Sequence, residues 1–165
     1  MRMRNTTLCY LERGGYLLML HRDKKEHDEN AGKWIGVGGK FEEGESPEDC
    51  VRREVREETG LTLGAARLRG LVTFVSDEWG TEHMFLYTSS DWTGTLSACD
   101  EGELEWVARE RVASLPLWEG DRLFFRLLGE ERPFFSLKLC YRGDALVSAA
   151  LDGVSLERGK GIWRF

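Results

Sequence analysis

A short capped helix with three glutamates on one side sets the frame for the whole chain. Ser46 can accept a hydrogen bond from the first turn, and Pro47 sits at the first helical position, where its missing N–H costs nothing. Glu48 and Asp49 favour the positive end of the helix dipole, and Gly60 supplies the stop. Residues between these ends advance by about 100° each. Glu54, Glu57 and Glu58 therefore share one face, Val51 and Val55 lie beside it as the anchor to a core, Arg52 and Arg56 point away, and Arg53 borders the carboxylates on the other side. Like charges at such spacings repel, and more strongly when drawn into a cleft, so this face asks for a positive partner. The run from Arg52 to Glu58 also fits a solvated helix laced with ion pairs.

The loop ahead of the helix favours a site. Gly38 and Gly39 allow close backbone approach, one carbonyl there could serve a hard cation, and Lys40 brings a positive charge to the same place. Mg²⁺ commonly takes a few carboxylates together with substrate phosphates and water. The segment is not a Walker loop, because no Gly-Lys-Ser/Thr opens the helix. It is not a dinucleotide fingerprint either, because Gly36-x-Gly38 lacks the third glycine and does not lead directly into a helix.

Strand-like runs flank this unit on both sides. Thr6 to Leu11 and Tyr16 to Leu20 form a hairpin around Gly14-Gly15, and Lys33 to Lys40 reads as a strand giving way to an open loop. Further strands are predicted at Arg67 to Ser76, Glu82 to Ser89 and Glu103 to Ala108, short helices at Arg109 to Ser114 and Gly120 to Leu128, and a closing hairpin at Phe134 to Tyr141 and Ala145 to Leu151. There is no regular βαβ alternation, so the expected class is α+β, a mixed sheet flanked by helices. At 165 residues one domain over 1–152 is expected, with 153–165 either a mobile tail or a partner-docking segment.

Charge limits the partners. The formal net charge of -6 excludes a sequence-independent attraction to a nucleic-acid polymer or an anionic membrane, and no apolar run approaches the roughly 18 residues of a membrane span. Cys9, Cys50, Cys99 and Cys140 have no zinc-ligand spacing and read as free, reduced thiols, and no signal-peptide pattern opens the chain. The expectation is a cytosolic protein, with monomer and dimer equally open.

Gly39 to Leu61 resembles the signature of the Nudix hydrolases at every defined position: Gly39, Glu45, Arg53, Glu54, Val55, Glu57, Glu58, Gly60 and Leu61. The resemblance implies an α/β/α sandwich and hydrolysis of a nucleoside diphosphate linked to another group, with Mg²⁺ or Mn²⁺. It implies that Glu54, Glu57 and Glu58 hold metal with the backbone carbonyl of Gly38, and that Glu45 pairs with Arg53. A further carboxylate outside the motif is implied as well, and Glu101, five residues before Trp106, is the candidate. One carboxylate must accept the attacking water's proton. We assign that role to Glu57.

Over roughly residues 4 to 150 the chain most resembles the branch that cleaves oxidised purine nucleoside triphosphates such as 8-oxo-dGTP to the monophosphate and pyrophosphate. The resemblance rests on Gly32-Lys33-Trp34, Trp118-Glu119-Gly120-Asp121 and Pro133-Phe134-Phe135. It implies that Trp118 stacks on a base and Asp121 bonds its edge. Vertebrate-type members carry a purine-reading asparagine directly after the tryptophan of the glycine strand, where this chain has Ile35. Arg22, Lys24 and Lys25 are candidate phosphate contacts beside Lys40. The alternatives are a Nudix enzyme for another linkage, such as ADP-ribose or a dinucleotide polyphosphate, and a non-catalytic Nudix-fold nucleotide sensor.

Overall fold

A computed structural model describes residues 3–23 and 28–165. The elements run β1 (Met3–Arg13), β2 (Tyr16–His21), β3 (Trp34–Ile35), β4 (Val37–Lys40), α1 (Pro47–Thr59), β5 (Thr62–Leu63), β6 (Arg67–Ser76), β7 (Gly80–Ser89) and β8 (Trp92–Thr93). They continue with β9 (Glu103–Ala108), α2 (Arg109–Val112), α3 (Glu119–Gly129), β10 (Phe135–Arg142), β11 (Ala145–Leu151), β12 (Val154–Ser155), β13 (Glu157–Gly159) and β14 (Ile162–Arg164).

Strand alternation explains the layers. Along β1, Leu8 and Tyr10 join one apolar cluster while Cys9 and Leu11 join another, and along β2 Leu17 and Met19 part from Leu18 in the same way. Both faces are buried, so each needs a helix. Val51 and Val55 of α1 cover one face, and Leu123, Phe124, Leu127 and Leu128 of α3 cover the other. The result is an α/β/α sandwich around a mixed sheet. The main order is β12-β11-β10-β6-β7-β1-β2-β3, with β4 also on β1 and β9 also on β2. The β1–β7 and β6–β10 pairs are parallel, whereas the two hairpins are antiparallel. Near its start β1 pairs with β4 through Thr6 to Cys9, and at its end it pairs with β2 through Glu12 and Arg13.

The glycine segment and the start of β7 differ from the sequence expectation. The glycine segment is strand through Lys40, because Gly39 and Lys40 still pair with Thr7 and Thr6, and the loop begins only at Phe41. β7 starts at Gly80, whose positive φ of 84° closes the turn after Asp77 and lets the ladder begin two residues before Glu82. Three of the four cysteines, Cys9, Cys50 and Cys99, are buried. Among the described residues no helix is long and apolar enough to cross a membrane.

Residues 153–165 add β12 to the sheet edge and fold β13–β14 onto α3. Trp163 enters the α3-side cluster, its Nε1 donates to Glu119 at 3.0 Å, and its carbonyl accepts from Arg126 at 2.8 Å. Removing a buried indole costs about 3 kcal/mol. Trp163→Ala should therefore lower the thermal midpoint by roughly 5–10 °C. An unchanged midpoint would mean that the hairpin contributes nothing to the core.

Candidate active site

Backbone economy brings α1 against β4. A Cβ on Gly38 would stand 1.9 Å from the Thr7 carbonyl oxygen, and one on Gly39 would stand 2.6 Å from the Glu54 carboxyl carbon. Glycine at the second position is what lets the Glu54 carboxylate press against the strand. Ser46 caps α1 and Asp49 completes a capping box by accepting from the Ser46 N–H, a reciprocal bond additional to its favourable place on the dipole. Gly60 ends the helix in the left-handed conformation.

Arg53 is the hub of the acidic face. Its Nε and Nη2 donate to both oxygens of Glu45 at 2.7 and 2.8 Å. Nη1 donates to Glu54 at 2.6 Å and to Glu57 at 3.2 Å, and Nη2 also donates to the Lys40 carbonyl at 2.9 Å. This two-pronged pairing draws the Glu45 carboxyl down to about 2, with the backbone N–H of Glu42 assisting. The three glutamates lie at graded depth: the Glu57 side chain is 58% exposed, that of Glu54 14%, and Glu58 is buried.

Glu58 carries the largest electrostatic perturbation of the face. Burial pushes its carboxyl up to about 9, the charges of Glu54 and Glu101 push the same way, and Arg22 and the Gly38 backbone oppose them. Its Oε2 is buried with no hydrogen-bond partner among the described residues. Burial also raises Glu54, against the pull of Arg53. Glu101 faces the pair from the far side, accepting from Arg22 Nη1 at 2.6 Å, while Arg22 Nε donates to Asp28 at 2.6 Å. The Arg22 charge is thus shared between two carboxylates. Among the described residues no three His, Cys, Asp or Glu side chains are drawn together at ligating distance, and the Arg53 guanidinium bonds Glu54, Glu57 and Glu45.

These residues open into one cavity of about 830 Å³. Gly38, Lys40, Glu54, Glu57, Glu58, Glu101 and Arg22 line it together with Ile35, Trp118 and Asp121. Glu45 stays outside and acts only through Arg53. Lys24 and Lys25 lie outside the described residues. Trp118 precedes α3 and is held by Asn30, whose Oδ1 accepts its Nε1–H at 2.8 Å, and by Tyr141, edge-on at 5.1 Å. Lys33 Nζ stands 4.3 Å from the centre of the Trp118 ring. Tyr141 in turn accepts the Gly120 N–H at 2.8 Å.

The NUDIX domain profile matches residues 1–128. The chain belongs to the Nudix family. Among its relatives, the oxidized purine nucleoside triphosphate hydrolase of Mus musculus is 33% identical over 114 residues, 67% of this chain and 71% of that protein. The CTP pyrophosphohydrolase of Escherichia coli is 30% identical over 126 residues, covering 73% and 87%. The crystal structure of a MutT protein from Bacillus halodurans superposes with a TM-score of 0.80 at 28% identity, covering 90% of this chain and 97% of that one. The Nudix hydrolase fold and the family's hydrolytic chemistry follow from these matches.

In this Nudix hydrolase several site residues carry no motif. Asn30 and Tyr141 position Trp118, yet Asn30 sits in a polar segment without periodicity and Tyr141 reads as an ordinary strand tyrosine. Glu82, Phe74 and Met84 line the cavity from β6 and β7. Asp121 is 3% exposed and caps nothing, and burial pushes its carboxyl up to about 8, with the Glu82 charge adding to the rise. A carboxyl raised on folding contributes stability that is fully present below its unfolded value of 3.8 and is lost as the pH climbs through about 8. Asp121→Asn, neutral throughout, should flatten that decline. Its thermal midpoint should gain several degrees on the wild type between pH 5 and 8, and parallel profiles would contradict the shift.

Proposed function

We propose that the protein hydrolyses purine nucleoside triphosphates, oxidised forms such as 8-oxo-dGTP included, to the monophosphate and pyrophosphate in the presence of Mg²⁺ or Mn²⁺. One observation carries the reading: a single cavity joins an acidic helix face to an aromatic platform with a buried carboxyl beside it. The printed name of the mouse relative supports the substrate class.

By the chemistry of their donor atoms the residues present fit a hard divalent cation, although among the described residues no three carboxylates stand together at ligating distance. Among the described residues no partner reaches a buried oxygen of Glu58, Glu54 is pressed against Gly39, and the donors are oxygens throughout. Glu54, Glu57, Glu58, the Gly38 carbonyl and Glu101 would hold it. A cation bound there would offset charge on the phosphate oxygens and acidify a water. Arg53 orients Glu54 and Glu57 and ties the loop to α1 through Glu45. In this reading Glu57, the most exposed of the three, takes the proton of the attacking water. Lys40 faces the phosphates from β4, and Arg22 contributes field there while bonded to Glu101 and Asp28. Trp118 stacks on the base and Asp121 bonds its edge, with Ile35 supplying apolar contact only. A nucleoside triphosphate substrate fits the cytosol.

A second reading, a pyrimidine triphosphate substrate, draws on the name of the Escherichia coli relative and on Ile35, which cannot read a purine edge. Catalytic efficiencies for 8-oxo-dGTP, dGTP, CTP, ADP-ribose and diadenosine polyphosphates, with products identified, separate the possibilities. Purine triphosphates are expected to lead, with release of pyrophosphate. Preference for CTP or ADP-ribose, or release of orthophosphate from the triphosphates, would overturn it.

A further inference from the structure

One wall of the cavity carries polar groups that neither the Nudix motif nor α3 supplies. Glu82 stands on the same face of β7 as Met84 and Leu86, both buried, and lines the cavity with Arg4, Thr6, Glu29 and Asp121. The parallel β1–β7 register sets Arg4 directly opposite Glu82 and Thr6 opposite Met84. Arg4 Nη2 donates to Glu82 at 2.9 Å and to Glu29 at 2.8 Å, and Thr6 Oγ1 donates to the other Glu82 oxygen at 2.7 Å. The Arg4 and Glu82 side chains are only 11% and 15% exposed.

For stability alone this arrangement is poor. A buried ion pair is commonly matched or bettered by apolar residues of the same volume, and Met84 and Phe74 next to it show that the wall can be apolar. The pairing is also unbalanced, since one guanidinium serves two carboxylates. Each carboxylate oxygen has room for a second donor. Asp121 adds an independent sign of a ligand: it is 97% buried by its 3% exposure, it lines the same cavity, and among the described residues no hydrogen bond reaches its carboxyl. The cavity therefore asks for N–H donors at Glu82.

We propose that Glu82 is a specificity-determining residue that accepts a hydrogen bond from the exocyclic amine of a 2-amino-6-oxopurine. The inference rests on the purine reading given above and names the edge that is read. Such a base presents a carbonyl oxygen, a ring N–H and an amine side by side. Asp121, held largely neutral at pH 7 by burial, can donate to the carbonyl, while Glu82 offers the acceptor for the amine. A base lacking the amine leaves that acceptor position dry and unfilled, and sites built around a hydrogen bond discriminate strongly against analogues that cannot make it.

dGMP and dIMP differ only in this amine. Their dissociation constants, read by tryptophan fluorescence without divalent cation, isolate base recognition from turnover. Wild type should favour dGMP by at least about tenfold. Glu82→Met should bring the ratio close to one, and Glu82→Gln, which keeps the shape and half of the acceptor, should leave it below about threefold. Circular dichroism identifies which variants are folded, and either one suffices. Equal binding of the two nucleotides by wild type, or a wild-type ratio retained in a folded variant, would overturn the inference. Failure to hydrolyse purine triphosphates would instead overturn the proposed function and leave this measurement intact.

Discussion

Glu58→Gln is expected to lower kcat by at least about a hundredfold while leaving the cation-free fold as stable as the wild type. The reason lies in its environment. Burial and the neighbouring charges of Glu54 and Glu101 raise the Glu58 carboxyl to about 9, so without a cation it is neutral near pH 7, and a glutamine of the same shape replaces a group that carries no charge there. A bound divalent ion would reverse that preference by favouring the carboxylate. The substitution thus separates folding from function: thermal unfolding in EDTA should match the wild type, whereas steady-state turnover with Mg²⁺ should collapse. Glu57→Gln should also cut turnover severely, through loss of the proton acceptor, and because Glu57 is exposed its effect on unfolding should again be small. Near-normal turnover in a folded Glu58→Gln protein would sink the metal assignment.

Arg53→Ala should be damaging in a different way. The guanidinium donates to Glu45, Glu54, Glu57 and the Lys40 carbonyl at once, so its removal frees the loop from α1 and leaves three carboxylates facing one another. Turnover is expected to fall by about a hundredfold or more, now together with a lower thermal midpoint. Arg53→Lys keeps the charge but loses the planar fork that grips both Glu45 oxygens, so it should recover part of the stability and little of the turnover. The pH profile gives a second readout. Glu45 is drawn from 4.5 down to about 2 in the folded protein, so its contribution is present above 4.5 and lost as the pH falls towards 2. Arg53→Ala should lack that component of acid sensitivity. An alanine variant with normal midpoint and turnover would contradict the hub role.

Much of the fold was legible because local signals agreed. Ser46, Pro47 and Gly60 mark α1 to within a residue, and Gly14-Gly15 marks a hairpin, since turns and caps depend on chemistry a few residues wide. The segment from Gly153 to Phe165 was not legible. Its anchor is one buried indole whose partners, Glu119 and Arg126, lie dozens of residues away. The same distinction runs through the cavity. Glu54, Glu57 and Glu58 share a helix and therefore a period, and their neighbourhood can be read from spacing. Glu82, Arg4 and Asn30 reach the cavity through sheet register and loop packing, and nothing near them in sequence marks them. The graded exposure of the three glutamates was hidden as well, because helical spacing places them on one face without saying how deeply that face sinks.

Cation binding by the glutamate face of α1 is the central claim, and Mn²⁺ titration of wild type and Glu58→Gln, followed by electron paramagnetic resonance, tests it directly. Saturable binding to the wild type is expected, weakened at least about tenfold in the variant, alongside the loss of turnover. Equal Mn²⁺ affinity in the two proteins, or undiminished hydrolysis by the wild type in excess EDTA, would contradict it.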